Sequence, residues 1–134
     1  MAGALEITER RVGPVTIVDL NGQLVVDDGE REFRQTIDVL VAAGQLNVLI
    51  DLSKVTYMDS GGVGALVAKY LHVTKRGGQL KLLHLSRRAN RVLRTARLVS
   101  VFEVFRDEAE AVSSFALPAP LVSLPAQAAL VRRP

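Results

Sequence analysis

The stretch from residue 46 to residue 70 constrains the fold more than any other part of the chain. Residues 46–52 are almost entirely apolar and include the strand formers Val48, Leu49 and Ile50, which predicts a buried strand. After a short polar segment, apolar residues recur at helical spacing, at Val63, Leu66, Val67 and Tyr70. We expect residues 46–52 to form an internal strand of a layered α/β domain, since both faces of such a strand are covered.

The polar segment Asp59-Ser60-Gly61-Gly62 lies where this strand passes into the helix. The first backbone N–H groups of a helix lack partners within it, and the helix dipole is positive there. In a structural interpretation, which the spacing alone favours, Asp59 or Ser60 caps the helix and the glycines permit the turn. Because side chains at such a junction are exposed, a functional role for a solvent-accessible Ser60 is the alternative.

The remaining sequence alternates between strand and helix patterns. A hairpin across Gly13-Pro14 joins the first two of the other predicted strands, which are residues 7–11, 15–20, 79–84 and 101–105. Helices are predicted over residues 28–44, from Gly61 or Gly62 to Lys75, and over residues 86–96 and 107–115. We therefore expect one α/β domain over residues 5–115, with a mixed sheet of four or five strands packed against amphipathic helices.

Composition limits the possible functions. The chain has 134 residues, 49% of them hydrophobic, which suffices for the core of one domain. It has no cysteine, so disulfides and thiolate chemistry are excluded and a reducing, cytoplasmic location is the simplest. We expect no secretory signal and no membrane insertion, because no apolar run approaches the roughly 20 residues of a spanning helix.

No arrangement of residues predicts an enzyme or a metal site. His72 and His84 have no nearby pattern of further ligands, whereas a zinc site needs three or four protein ligands. Met58 stands where a hydrolase elbow around Ser60 would have glycine, and Asp59 cannot replace the missing histidine base. Residues 61–64 lack the ending of a phosphate-binding loop. We expect no cofactor, with weak nucleotide binding at the helix N-terminus left as an alternative.

Arginines give the helix at residues 86–96 and its C-terminal flank a basic surface, formed by Arg87, Arg88, Arg91, Arg94 and Arg97. They lie opposite an apolar face of Ala89, Val92, Leu93 and Ala96. Such a stripe is usually solvated, and it lacks aromatic residues that could stack on bases. We expect no nucleic-acid partner and favour contact with an acidic protein.

The composition changes at Ala116 to alanine, leucine, valine and proline. Prolines at positions 118, 120, 125 and 134 hinder both sheet pairing and a long helix. We expect residues 116–134 to be a tail beyond the domain, and residues 119–134 to be dispensable for folding.

Several motifs, in order along the chain, resemble those of the STAS family, the domain of bacterial anti-sigma factor antagonists and of sulfate-transporter tails. Residues 58–64, after the lead-in Val55-Thr56-Tyr57, resemble its Asp-Ser-x-Gly-x-Gly signature. Residues 76–82 resemble its glycine turn and next strand. Two further segments, 91–98 and 101–105, resemble its closing helix and strand.

The resemblance implies a binding switch that is not itself an enzyme. In antagonists of this family a partner kinase phosphorylates the serine after the aspartate, which is Ser60 here. The unphosphorylated protein would sequester an anti-sigma factor with serine kinase activity and so release a sigma factor, and a phosphatase would reset phospho-Ser60. We expect the docking surface on exposed positions beside Ser60, formed by Asp59, Ser60, Gly61, Gly62, Val63, Ala65 and Lys69, with Ala68 and His72 nearby.

Two features depart from the family's pattern. Gly61 stands where many relatives have Ser, Thr or Ala, and we expect it to loosen the first helical turn. Sporulation-type relatives carry an acidic residue directly after an early Gly-x-Leu, whereas residues 22–24 are followed here by Val25-Val26. The alternative functions are a STAS subunit of another assembly, such as a lipid-transport complex or a stress-sensing multimer, and a nucleotide-binding regulatory module.

Overall fold

A computed structural model describes residues 5–26 and 28–116. The elements follow the order β1 (Glu6–Val12), β2 (Val15–Leu24), α1 (Glu30–Ala42), β3 (Asn47–Met58), α2 (Ser60–Lys75), β4 (Gln79–Leu83), α3 (Arg87–Thr95), β5 (Val104–Phe105) and α4 (Glu108–Ser114). Within the described ranges, no helix is both long enough and apolar enough to cross a membrane. The tail predicted at residues 116–134 lies outside the described residues, except for Ala116.

The five strands form one mixed sheet in the order β1-β2-β3-β4-β5. The hairpin makes β1 antiparallel to β2, and the other neighbouring pairs are parallel. Strand β3 lies between β2 and β4, which confirms the predicted internal strand, although it begins at Asn47 instead of Leu46. The predicted α/β fold with a mixed sheet is therefore confirmed.

The sheet separates two hydrophobic cores, because alternate residues of a strand point to opposite faces. On β2, Val18 and Leu20 belong to the larger core, which also contains residues of α1, α2 and α3. Ile17 belongs to the smaller core, where Ala111 and Phe115 bring in α4. Helices α1 to α3 thus cover one face of the sheet, and α4 covers part of the other.

Strands β2 and β3 are longer than their apolar patterns predicted. The pairing of β3 with β4 ends at Asp51 and Leu83, whereas its pairing with β2 continues to Met58. Polar residues after Leu52 look like a turn in the sequence, yet their backbone groups pair with the extended β2. We call this extension of β2 and β3, which reaches Leu24 and Met58, the protruding ribbon. It brings the start of α2 past the end of the β3–β4 pairing.

Two smaller predictions were wrong at the C-terminal end. The last strand has only two residues, and Val101, which we placed in it, is 38% exposed and lies in a turn. Ala96 is exposed at the end of α3 instead of completing its apolar face. Both residues belong to the turns that connect α3 to β5, where neither a helix face nor a sheet partner is available.

Candidate functional site

Asp59, and not Ser60, caps helix α2. Its backbone is extended, and its Oδ1 accepts a hydrogen bond of 3.1 Å from the backbone N–H of Gly62, which is the usual N-cap geometry. Ser60 is therefore the first residue of the helix, and its side chain is exposed. The structural interpretation is confirmed for Asp59, and so is the predicted position of Ser60 at an accessible helix N-terminus.

The carboxylate of Asp59 also holds the segment that follows β2. The backbone N–H of Val26 donates to both carboxylate oxygens, at 3.2 and 3.3 Å. One side chain thus joins the N-terminus of α2 to the chain beyond Leu24. We call this arrangement of Asp59, Val26 and Gly62 the Asp59 clasp. Asp59 therefore supports the surface around Ser60 through hydrogen bonds to the protein's own backbone.

Gly61 and Gly62 are required for close packing, and their role as turn-formers was wrongly predicted. Neither has a positive φ. A Cβ atom on Gly62 would lie 2.1 Å from the carbonyl oxygen of Leu24, and one on Gly61 would lie 2.7 Å from Cβ of Val26. Side chains at either position would therefore push α2 away from β2. Gly61 allows Val26 to pack against the first turn of α2.

Three residues of the predicted docking surface are buried or nearly so. Ala65 is fully buried in the larger core. The side chain of Lys69 is only 12% exposed, and its Nζ lies 2.7 Å from Asp38 of α1. Helix α1 packs beside α2 on this side, so our assignment of these positions to the surface was wrong. Gly62 is buried as well, while Gly61 and Val63 are half-buried.

The exposed face of α2 instead runs along Ser60, Gly64, Leu71 and Lys75. Large apolar side chains near Ser60 are exposed too: Val26 is 54% exposed and Tyr57 is 45% exposed. Sequence reasoning did not assign either residue to the site. The sequence feature that could have pointed to Val26 is the pair Val25-Val26, two apolar residues directly after the strand that ends at Leu24.

Removing the cap should measurably weaken the fold. We expect Asp59→Ala to lower the free energy of unfolding by about 2 kcal/mol, because a lost N-cap costs 0.5–2 kcal/mol and the Val26 N–H also loses its acceptor. Asp59→Asn keeps an acceptor oxygen and should lose about half as much or less. Chemical denaturation of the three proteins checks this. Equal midpoints for parent and Asp59→Ala would show that the clasp contributes nothing.

A concave surface, separate from the residues around Ser60, lies on the sheet face that α4 leaves open, across β1, β2 and β3. It is a cleft of about 430 Å³ whose polar lining includes Arg10, Asp19 and Asp51. Arg10 donates to Asp19 at 2.7 Å and to Glu108 at 2.8 Å, and the bond from Arg10 lowers the pKa of Glu108. Arg10 thus pairs with two carboxylates, and the described residues contain no group of three or more potential metal ligands.

The basic surface of α3 is exposed at Arg87, Arg88 and Arg91, and the guanidinium of Arg88 lies 5.0 Å from the ring centre of Tyr57. We expect no binding to generic duplex DNA even at low salt, where phosphate-driven binding is strongest. An electrophoretic mobility assay over a range of salt concentrations checks this. A salt-sensitive shift that disappears when the three arginines are changed to Glu would contradict it.

Known proteins share this sequence pattern and this fold. The chain is 21% identical over 99 residues to the anti-sigma F factor antagonist of Paenibacillus polymyxa, an overlap of 74% of this chain and 85% of that protein. It is 40% identical over 55 residues to the anti-sigma-B factor antagonist of Bacillus subtilis, covering 41% of this chain and 50% of that protein.

Among solved structures, the fold is similar to that of the Bacillus cell fate determinant SpoIIAA in its phosphorylated form, with a TM-score of 0.64 and 20% identity. The overlap covers 83% of this chain and 98% of that chain. The sequence profile of the STAS domain matches residues 6–111, which is most of the chain. The protein therefore belongs to the STAS domain family.

Proposed function

We propose that this protein is an anti-sigma factor antagonist, a binding switch that phosphorylation of Ser60 turns off. The observation that carries the proposal is the exposed hydroxyl of Ser60 at the first position of α2, directly after the aspartate that caps the helix. Two relatives bear the name of anti-sigma factor antagonist, and a similar fold is known in a phosphorylated form.

In the binding state, Ser60 is a neutral hydroxyl within a surface that includes the exposed face of α2. This surface docks onto an anti-sigma factor with serine kinase activity, and the sigma factor is released. The kinase then transfers the γ-phosphoryl group of ATP to Oγ of Ser60, producing ADP, while the hydroxyl proton leaves to a base of the kinase. A separate phosphatase hydrolyses the phosphoserine and restores the binding state.

The phosphate ends binding through charge and desolvation. It adds about −1.5 to −2 charges at neutral pH, and these would have to be desolvated inside a protein interface. The N-terminus of α2 offsets this by roughly 0.3–1 kcal/mol. Loss of a contact at the centre of an interface costs about 2 kcal/mol or more. Repulsion and desolvation therefore exceed the attraction of the helix dipole, and the complex dissociates without a change of fold.

In this scheme the chain catalyses no step, because the kinase and the phosphatase supply the chemistry. ATP and the transcription machinery are both required, so the cytoplasm is the proposed compartment. The partners are two proteins, and neither nucleic acid nor a membrane takes part.

The proposal is tested by identifying the partner. Tagged parent protein and Ser60→Asp are used to capture proteins from a native lysate of the source organism, and mass spectrometry identifies what is bound. We expect an ATP-binding anti-sigma factor with the parent only, and we expect adding the parent to release sigma factor from that anti-sigma factor. Recovery of membrane-transport or stress-complex subunits instead would favour another assembly. Saturable ATP or GTP binding in equilibrium dialysis would favour a nucleotide-binding module.

A further inference from the structure

Val26 is an exposed apolar side chain that the fold holds rigidly beside Ser60. Its backbone N–H donates to the carboxylate of Asp59, and its Cβ lies only 2.7 Å from the position that a Cβ atom on Gly61 would take. Gly61 is the residue after Ser60, so the two side chains present neighbouring parts of one surface. Val26 is 54% exposed, so this apolar side chain is in contact with water and belongs to neither hydrophobic core.

Rigid exposed groups of this kind are favourable anchors for a partner. An apolar side chain gains free energy when a partner covers it, and a group already held in place loses little conformational entropy on binding. The clasp and the two close-packed glycines provide that rigidity through backbone contacts. Val26 thus has the properties of an interface anchor, and Val39 of α1, which is 66% exposed, offers a comparison at an exposed valine on another element.

A cation lies beside Tyr57, close to the end of the strand that leads into Ser60. Tyr57 comes three residues before Ser60, which places their Cα atoms within about 11 Å of each other. The guanidinium of Arg88 rests 5.0 Å from the centre of the Tyr57 ring, and both side chains are exposed. The aromatic ring holds the guanidinium at this place without neutralising its charge.

We propose, as an extension that rests on the proposed function, that Val26 and Arg88 select the partner: the anti-sigma factor presents an aliphatic recess that receives Val26 and a carboxylate that pairs with Arg88. Apolar complementarity at Val26 and charge complementarity at Arg88 set both the identity of the partner and its orientation towards the serine. The kinase active site is thereby aligned with Oγ of Ser60 when the two anchors are in place.

The test uses the full chain and each anti-sigma factor with a serine kinase domain from the source organism, with affinities measured by biolayer interferometry. We expect Val26→Asp to weaken binding about 100-fold and Val26→Thr, which keeps the shape but replaces one methyl group by a hydroxyl, about 10-fold. Val39→Asp is the matched control and should stay within about 2-fold. Because Val26→Asp places a second carboxylate near Asp59, thermal melts verify folding, and Val26→Thr decides if that variant unfolds.

Arg88→Gln should weaken binding about 5-fold, mainly through a slower association rate that depends less on salt, whereas Arg94→Gln on the same helix should not. Parent-like binding of Val26→Thr and Val26→Asp, with Ser60→Asp still deficient, would overturn the role of Val26 and leave the proposed function intact. An Arg88→Gln variant indistinguishable from parent would overturn the acidic contact. If none of the anti-sigma factors binds the parent protein, the proposed function fails and this inference fails with it.

Discussion

Gly62→Ala is expected to lower the free energy of unfolding by about 3 kcal/mol, although alanine is the better helix former. The new Cβ would lie 2.1 Å from the carbonyl oxygen of Leu24 and 3.0 Å from Cγ of Met58, so α2 or β2 must move. This loss is a large part of the 5–15 kcal/mol that stabilises a typical domain. Denaturant titration followed by circular dichroism measures it.

Gly64 provides the matched control, two residues further along the same helix. A Cβ there meets nothing within 4 Å, so Gly64→Ala should raise the free energy of unfolding by up to about 1 kcal/mol through helix propensity alone. Opposite signs for the two substitutions are therefore expected. Equal effects would show that close packing against β2 does not determine the glycine at position 62.

The second large effect concerns binding. Ser60→Asp should bind the partner kinase about thirty-fold more weakly than the parent, equivalent to about 2 kcal/mol, because a carboxylate brings charge into the docking surface. Ser60→Ala should remain bound whether or not ATP is present, since it cannot be phosphorylated. Affinities measured with and without ATP check both variants. Loss of binding by Ser60→Ala in the absence of ATP would mean that the hydroxyl itself makes an essential contact.

The architecture was predictable because its determinants are local. Each strand or helix is indicated by a pattern within a short stretch of sequence, such as the apolar run at residues 46–52, the helical spacing of apolar residues or a glycine at a turn. The alternation of strands and helices then indicates the layered fold. The ends of the protruding ribbon were not predictable in this way. Residues 53–58 include Ser53, Lys54 and Thr56 and have no continuous apolar pattern. They form a strand because β2, a distant part of the chain, supplies their backbone partners.

The accessible face of α2 was mispredicted for a related reason. The helix carries apolar residues on nearly every side, including Ala65, Val67, Ala68 and Leu71, so its period does not show which side faces the core. Tertiary packing decides that question: Ala65 is buried in the larger core and Lys69 pairs with Asp38 of α1, whereas Leu71 is half exposed.

The chemistry of the junction was only partly predictable. An aspartate followed by serine before a helix predicts a cap, but the spacing did not distinguish Asp59 from Ser60 as the capping residue. The structure assigns the cap to Asp59 and frees the Ser60 hydroxyl. The close approach of Val26 and Leu24 to the glycines depends on how β2 and α2 meet, which no local pattern describes.

The most direct test of the switch follows one phosphate and its effect on affinity. Parent protein is incubated with the partner kinase and ATP, the modified residue is mapped by mass spectrometry, and the affinity of the purified phosphorylated form is compared with that of the unmodified form. Thr56 and Ser53 are the nearby competitors for the phosphate. We expect one phosphate, on Ser60, and an affinity at least about thirty-fold lower. Equal phosphorylation of Ser60→Ala, or undiminished binding by the phosphorylated parent, would contradict the account.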